Sequence, residues 1–378
     1  MKLYKWQEDA LMNWKLHNCK GIIEAGTGVG KTQIGLEAIK GLKVPTLIIT
    51  PTIELMQQWK ENLIKEGCPK NLIGELGNGK KELQKYTIGT FNSVRELLPE
   101  FDFIIVDEIH HLPSNKNSRI LDIPCKFFLG MTATLQRNDM GHLRIIHKYP
   151  VVYSYSQEDG IRDGILADYT ITPIYINLTP EERCEYEKYE SIIKEYFPRF
   201  DFDLKKVISI ATNGLHPNFD TASALMDAIN KRKQILLNSS ERIIKTAELI
   251  NKYCQYEKII VFSESIECAE KIFALVDSAN KFIYHSGLKK NERKQIYEKF
   301  KNCKAGVVIS CKALEEGVDF PSCKMGIISG GSSQSRQAIQ RIGRFLRKYG
   351  DMEAKIFDVI VVGTKDMEWF KRRYLNWK

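Results

Sequence analysis

The sequence predicts an α/β protein in which two doubly wound parallel sheets follow one another, with a small helical insertion between them. Short apolar runs alternate with helix-forming stretches in residues 1–155 and again in residues 241–378, which is typical of open parallel sheets. Residues 156–240 contain one alternating strand pattern and then a highly charged stretch with helical spacing. We therefore expect an α/β domain at each end of the chain, joined by a crossover strand and a helical insertion.

The composition is that of a globular protein with an anionic partner. The 378 residues suffice for two full cores, and 43% hydrophobic with 27% charged residues is an ordinary balance. No apolar run approaches the ~20 residues of a membrane span, and the N-terminus has no apolar signal region, so we expect a cytoplasmic protein without a membrane partner. The formal net charge of +9 favours nucleic acid, although frequent lysine in the source organism would give the same excess. The nine cysteines include no Cys-x-x-Cys pair, so no structural zinc is expected.

A glycine-rich turn between a strand and a helix is the most informative stretch. The apolar strand 21–23 precedes Glu-Ala-Gly-Thr-Gly-Val-Gly-Lys-Thr at 24–32, and a helical pattern follows at 33–39. This context indicates a phosphate-binding loop with alanine at the first glycine position, rather than an ordinary glycine-rich turn. Its N–H groups and helix N-terminus would hold the phosphates of ATP, with Lys31 on the β- and γ-phosphates and Thr32 on Mg²⁺. The predicted nucleotide-binding residues are Gly26, Thr27, Gly28, Val29, Gly30, Lys31 and Thr32.

Two carboxylates follow the strongest apolar strand of the first half. Residues 101–106 read Phe-Asp-Phe-Ile-Ile-Val, and Asp107 and Glu108 come directly after them. Downstream of a phosphate-binding loop, this is the position of a magnesium ligand. Asp107 would hold Mg²⁺, and Glu108 would activate the attacking water. A charged loop after a strand is the alternative. We assign His110 a coupling role, because magnesium prefers oxygen ligands.

Other strands of the first half also end in polar side chains. Thr50-Pro51, Thr90 and the pair Thr132 and Thr134 follow apolar runs. The carboxyl ends of strands face the ligand crevice in a doubly wound sheet, so hydroxyl groups there are candidates to grip phosphates, although they are also ordinary helix caps. Gln7, on an amphipathic helix before the first strand, has an amide that can read an adenine edge; a surface glutamine is the alternative.

The second half lacks a phosphate-binding loop but carries a basic helix face. Residues 340–347 read Gln-Arg-Ile-Gly-Arg-Phe-Leu-Arg, which places arginines three apart on one face. Such a face indicates an anion, and arginine also serves as an arginine finger. In the insertion, tyrosines interleave with charges at 181–196. They either hold a nucleic-acid strand or pack against the cores.

In this order, the motifs resemble those of the superfamily 2 helicases and translocases, most of all the XPB-type repair helicases and the phage branched-DNA helicases of the UvsW type. The resemblance implies two RecA-like domains and a thumb-like insertion. It implies that the residues that act in catalysis are Lys31, Asp107, Glu108, Gln340, Arg344 and Arg347. It adds Gln7, Gly317 and Asp319 to the nucleotide site. It assigns nucleic-acid contact or coupling to Thr50, Pro51, Thr90, His110, Thr132, Thr134, Ser263, His285 and Arg341.

The resemblance implies an ATP-dependent DNA helicase or translocase that uses Mg²⁺ and binds ATP between its two cores. Its partner would be DNA, forked or branched and gripped without sequence preference, in recombination, branch migration, repair or replication. The compact size fits a phage or mobile-element enzyme, a monomer or weak oligomer in the host cytoplasm. The alternatives are an RNA helicase, a motor subunit of a restriction or defence complex, and a nucleotide-gated binding protein without turnover.

Overall fold

The described chain passes from one sheet to another at Asp168–Tyr169. The computed structural model describes residues 2–112, 117–135, 140–285, 287–311, 323, 325–331 and 353–374. Each of its two units is built on a largely parallel sheet, and helices lie between the two sheets in the sequence, so the predicted fold class is confirmed. The domain boundaries at 155/156 and 240/241 stay predictions.

The first unit alternates strands and helices from its start. Its strands are β1 (Lys20–Ala25), β2 (Thr46–Thr50), β3 (Ile73–Gly77), β4 (Lys80–Lys81), β5 (Tyr86–Thr90), β6 (Phe103–Asp107), β7 (Phe127–Thr132) and β8 (Val151–Tyr155). Its helices are α1 (Lys5–Leu16), α2 (Lys31–Leu42), α3 (Ile53–Lys65), α4 (Phe91–Leu97), α5 (His142–Lys148) and α6 (Gln157–Arg162). Short 3-10 helices span Lys70–Leu72, Ile109–His111 and Ser118–Asp122.

The strand order brings the predicted motifs to one edge of the first sheet. That order is β4-β3-β5-β2-β6-β7-β1-β8, and every pair except β3–β4 is parallel. The carboxyl ends of β1, β6 and β7 therefore lie side by side. Strands β2 and β6 are buried along their whole length, as expected for Ile- and Val-rich strands covered on both faces.

The second sheet takes its last strand from the chain before the insertion. Its strands are β9 (Tyr169–Ile176), β10 (Lys258–Ser263), β11 (Lys281–His285), β12 (Gly306–Cys311), β13 (Met325–Ser329) and β14 (Ala354–Val361). They lie in the order β11-β12-β10-β13-β14-β9 and are all parallel. Its helices after the insertion are α10 (Ser240–Tyr253), α11 (Ile266–Leu275), α12 (Lys290–Asn302) and α13 (Lys365–Arg373). The predicted crossover strand is thus an edge strand that pairs with β14.

The insertion has a hydrophobic core of its own. It consists of α7 (Pro180–Tyr196), a 3-10 helix at Phe197–Phe200, α8 (Leu204–Ala211) and α9 (Phe219–Leu237), which share a cluster of buried apolar side chains. Glu182 closes its base, because its carboxylate accepts hydrogen bonds from the Thr179 N–H at 3.1 Å and from the Ser240 N–H at 2.7 Å. One side chain therefore joins the first turn of α7 to the start of α10. Among the described helices, none is both long and apolar enough to cross a bilayer.

Candidate functional site

The glycine-rich turn forms a narrow cradle between β1 and α2. Gly28 and Gly30 have φ angles of +88° and +93°, a conformation that side chains disfavour. A Cβ on Gly26 would lie 2.8 Å from Gln157 Cγ, and one on Gly30 would lie 2.9 Å from Gln7 Nε2. The turn thus needs glycine, and the predicted strand, turn and helix are present in that order.

The ammonium of Lys31 lies inside this turn. Its Nζ donates hydrogen bonds to the carbonyl oxygens of Ala25 at 2.8 Å and Gly26 at 3.1 Å. Lys31 is also the first residue of α2, a 12-residue helix whose N-terminus carries a partial positive charge. A lysine cation, a helix N-terminus and a curled backbone together favour a phosphate group.

Gln7 contacts the same turn from α1. Its Nε2 donates to the carbonyl oxygen of Gly30 at 3.1 Å, and its Oε1 accepts from the Tyr4 N–H at 2.9 Å. The side chain is buried, so it is not the surface glutamine considered as the alternative. Gln7 therefore links the start of α1 to the phosphate-binding turn, whereas the predicted adenine contact stays a prediction.

Asp107 is a buried carboxylate held by two neutral donors. Trp59 Nε1 donates to its Oδ2 at 2.9 Å, and the Glu108 N–H donates to its Oδ1 at 3.1 Å. Burial raises the pKa of the Asp107 carboxyl, and the charge of Glu108 raises it further. The sequence analysis missed Trp59. The helical spacing of Met56, Trp59 and Leu63 in the sequence could have indicated that Trp59 is buried, because these three residues form the buried stripe of α3.

Glu108 occupies a strained backbone position at the end of β6. Its φ angle is +51°, which is uncommon for a residue with a side chain. Burial alone would raise the pKa of the Glu108 carboxyl, but the hydrogen bond with His110 and the charge of Lys31 outweigh burial and lower that pKa. The second carboxylate is therefore held ionised beside the first.

His110 and Thr132 connect Glu108 to the end of β7. The His110 Nδ1 lies 3.3 Å from Glu108 Oε2 and 2.9 Å from Thr132 Oγ1. Thr132 Oγ1 in turn donates to the Thr134 carbonyl oxygen at 3.0 Å. These four predicted residues are therefore brought together in one hydrogen-bonded chain.

Glu24 provides a second link to the segment after β7, and the sequence analysis missed it. Its Oε1 accepts a hydrogen bond from the Leu135 N–H at 2.9 Å. Glu24 also lies opposite Thr132 in the parallel pairing of β1 with β7. The strand that leads into the phosphate-binding turn is thereby tied to the end of the neighbouring strand.

The remaining predicted residues lie at strand ends, where their side chains make local hydrogen bonds. Thr50 Oγ1 donates to the Thr52 carbonyl at 3.1 Å, beside Pro51, and Thr90 caps α4. Ser263 Oγ donates to the Ser265 carbonyl at 2.9 Å, and His285 Nδ1 accepts from the Gly287 N–H at 3.2 Å. Their predicted nucleic-acid contacts are not tested by these bonds. The predicted residues that lie outside the described part of the chain are Gly317, Asp319, Gln340, Arg341, Arg344 and Arg347.

The donor set at this edge fits a magnesium ion and a nucleotide phosphate. Thr32 supplies a hydroxyl, and Asp107 and Glu108 supply carboxylates, which are the oxygen donors that Mg²⁺ prefers. The glycine positions at 26 and 30 admit no Cβ without a clash, so the backbone of the turn can keep the curled shape that a phosphate-binding loop needs. Hydrolysis of the phosphoanhydride bond of a nucleoside triphosphate needs the same groups: an anion cradle, a metal ligand and a base.

Comparison with known proteins points to one group. Residues 1–137 match the family model "Type III restriction enzyme, res subunit", and residues 241–349 match "Helicase conserved C-terminal domain". The chain is 33% identical to the DNA 3'-5' translocase XPB2 of Sulfurisphaera tokodaii, with 99% of this chain and 84% of the relative covered. It is 24% identical to the DNA 3'-5' helicase XPB of Kineococcus radiotolerans, of which it spans 62% of the length.

The chain is also similar to a further helicase relative and to one solved structure. The putative DNA 3'-5' helicase Rad25 of Haloarcula marismortui is 24% identical, and this chain spans 54% of its length. The crystal structure of the Pyrococcus furiosus Hef helicase domain superposes with a TM-score of 0.61 at 18% identity, covering 97% of this chain and 96% of that one. At that identity the superposition supports the fold alone.

Proposed function

We propose that this chain couples ATP hydrolysis to 3′-to-5′ movement on DNA. The chain belongs to the XPB-like family of superfamily 2 DNA helicases and translocases, and it is therefore an ATP hydrolase. The observation that carries the proposal is the buried Asp107 with the half-buried Glu108 next to it, both acted on by the charge of Lys31. The DNA substrate and the direction come from the names of the relatives. The part in DNA repair comes from the resemblance to the XPB-type repair helicases.

In the proposed reaction, the first unit binds the phosphates and positions the attacking water. Lys31 and the N–H groups of the glycine-rich turn bind the β- and γ-phosphates. Thr32 and Asp107 would hold Mg²⁺, which neutralises phosphate charge when it is bound. The Glu108 carboxylate, which is held ionised, accepts a proton from the attacking water. Arg344 and Arg347 stay predicted arginine fingers.

The hydrogen-bonded chain from Glu108 to Thr134 supports a coupling role. A shift of the Glu108 side chain on hydrolysis would reach β7 through His110, whose Nδ1 lies 3.3 Å from Glu108 Oε2 and 2.9 Å from Thr132 Oγ1. We propose that this chain of contacts passes the nucleotide state to the segment after β7. Glu24 anchors the same segment through the Leu135 N–H.

The anchor at Glu24 is testable by two variants. Glu24→Ala removes the acceptor of the Leu135 N–H, whereas Glu24→Gln keeps an oxygen at that position. We expect Glu24→Ala to lower DNA stimulation of the ATPase by about tenfold, the effect of losing a hydrogen bond worth about 1–2 kcal/mol. Glu24→Gln should retain most of that stimulation. Steady-state ATPase rates with and without DNA measure both, and equal losses in the two variants would refute the anchor.

The insertion presents an aromatic ring that we propose contacts DNA. Tyr186 and Tyr189, two of the tyrosines in the charged stretch 181–196, are buried, so they pack inside the protein and are not available to hold a nucleic-acid strand. Phe202 is 67% exposed. Phe202 and the preceding Asp201 both have φ angles of +57°. Its ring makes an edge-to-face contact with that of Phe197, at 5.5 Å between centroids. Exposed aromatic faces are the usual stacking platforms for unpaired bases.

Phe202→Ala tests this contact. Because the ring is exposed, we expect the free energy of unfolding to stay within about 0.5 kcal/mol of the wild type. Affinity for forked or single-stranded DNA should fall by about 5- to 150-fold, the value of one stacked base. Tyr256→Ala is the matched control, since Tyr256 is 79% exposed but lies outside the insertion. Fluorescence anisotropy with labelled DNA measures both, and similar losses in the two variants would contradict the stacking role.

The proposed function is tested by steady-state ATPase rates with no nucleic acid, single-stranded DNA, duplex DNA, a four-way junction and RNA, measured side by side. Stimulation by DNA supports the proposal, and stimulation by RNA alone would transfer the chain to the RNA helicases. Higher stimulation by the junction than by the other DNAs would support branched DNA as the substrate and a part in branch migration and recombination. These assignments, and a phage origin, stay predictions from the sequence. Rates that no nucleic acid raises would contradict the proposal.

A further inference from the structure

The indole of Trp59 contacts both the magnesium ligand and the nucleotide helix. Trp59 is 1% exposed on α3, and its Nε1 donates to Asp107 Oδ2 at 2.9 Å, across 48 residues of sequence. Its ring packs against α2, where a Cβ on Gly35 would lie 2.6 Å from Trp59 Cη2. The glycine at position 35 thus leaves room for the indole to reach the carboxylate.

Two neutral donors fix the orientation of this carboxylate. Trp59 holds Oδ2, and the Glu108 N–H holds Oδ1, so rotation of the group about its Cβ–Cγ bond would break both bonds. An indole N–H is a donor without charge. It can therefore orient a carboxylate without cancelling the negative charge that attracts a cation. Outer partners of this kind set the affinity of many metal ligands.

Helix α3 also lies between Thr50, a predicted nucleic-acid contact, and the hydrogen bond from Trp59 to Asp107. It begins directly after Thr52, whose side chain caps it, and Thr50 ends the preceding strand β2. Trp59, Met56 and Leu63 form its buried stripe. The position of α3 is thus joined through one side chain to Asp107.

We propose that Trp59 is a positioning residue that orients Asp107 for Mg²⁺ and so sets the magnesium requirement of the nucleotide site. The inference rests on the proposed function, because it takes Asp107 as the magnesium ligand. It goes beyond that function in assigning a role to a residue that touches neither nucleotide nor metal.

Trp59→Phe removes the donor and keeps an aromatic ring in the core. We expect the Mg²⁺ concentration for half-maximal ATPase to rise by about 10- to 100-fold, the usual effect of losing an outer partner of a metal ligand. Calorimetry gives a readout apart from turnover. Affinity for ADP with Mg²⁺ should fall in the variant, whereas affinity for ADP in EDTA should match the wild type.

Trp14→Phe is the matched control. Trp14 is also 1% exposed in the same unit, and its Nε1 donates to a backbone oxygen, that of Phe128, at 2.8 Å. This variant loses a buried indole hydrogen bond away from the site, so its magnesium requirement should equal that of the wild type. A wild-type requirement in Trp59→Phe, or an equal rise in Trp14→Phe, would overturn the proposal.

A measurement on the unaltered chain covers the case in which Trp59→Phe does not fold. In protein labelled with ¹⁵N-tryptophan, the five indole N–H signals can be assigned by elimination from Phe variants of the other four tryptophans. The Trp59 signal should move when Mg²⁺ is added to the ADP complex, and the Trp14 signal should stay. An unmoved Trp59 signal would overturn the proposal, whereas a wild-type chain that binds no nucleotide would refute the proposed function itself.

Discussion

Replacing Glu108 with glutamine is expected to lower ATP turnover by about 10²- to 10⁴-fold, the range for loss of a general base. The amide keeps the shape of the carboxylate but cannot accept a proton from water. Binding of ATP should persist, since Lys31 and the turn remain. Single-turnover hydrolysis and calorimetric ATP binding separate the two effects.

A control for Glu108→Gln is available in the same unit. Glu75, on β3, is a buried carboxylate that forms ion pairs with Lys60 of α3 and Lys80 of β4. Glu75→Gln should lower stability and leave the turnover of the folded protein near that of the wild type. If Glu108→Gln turned over ATP like the wild type, Glu108 would not be the base that activates the attacking water.

Lys31→Ala is expected to reduce turnover by about 10²- to 10³-fold, the cost of removing one donor from a developing anion. It also removes the two hydrogen bonds from Nζ to the Ala25 and Gly26 carbonyl oxygens, which fix the shape of the turn. ATP affinity should therefore fall as well. Calorimetry and steady-state rates measure the two losses.

Lys40→Ala, at the other end of α2, is the control for Lys31→Ala. Lys40 pairs with Glu37 and Glu66 at the surface, where ion pairs contribute about 0–1 kcal/mol. Its loss should leave ATP binding intact. Comparable ATP affinity in Lys31→Ala and Lys40→Ala would show that the turn is not the phosphate site.

The features that the sequence predicted depend on residues close together in the chain. The phosphate-binding turn, β6 with its two carboxylates, and the strands of the second sheet each follow from apolar periodicity and the residues next to it. The rule that parallel strands end at one edge predicted that polar residues after these strands face one crevice, and the strand order then places β1, β6 and β7 side by side. Local patterns therefore predicted the main parts of the site.

The features that the sequence did not predict depend on distant partners. Trp59 reaches Asp107 across 48 residues, and Glu24 reaches Leu135 across 111. Neither pairing can be read from periodicity, because it requires the strand order of the sheet. In α7, the same helical spacing fits buried or exposed tyrosines, so packing against the insertion core decided the matter for Tyr189.

We propose that this chain moves along DNA in one direction by hydrolysing ATP. Displacement of streptavidin from single-stranded DNA that carries biotin at one end measures this movement most directly. We expect ATP-dependent displacement from the 5′ end, little from the 3′ end, and none from either end with Glu108→Gln. Displacement from the 3′ end alone, or equal displacement without ATP, would contradict it.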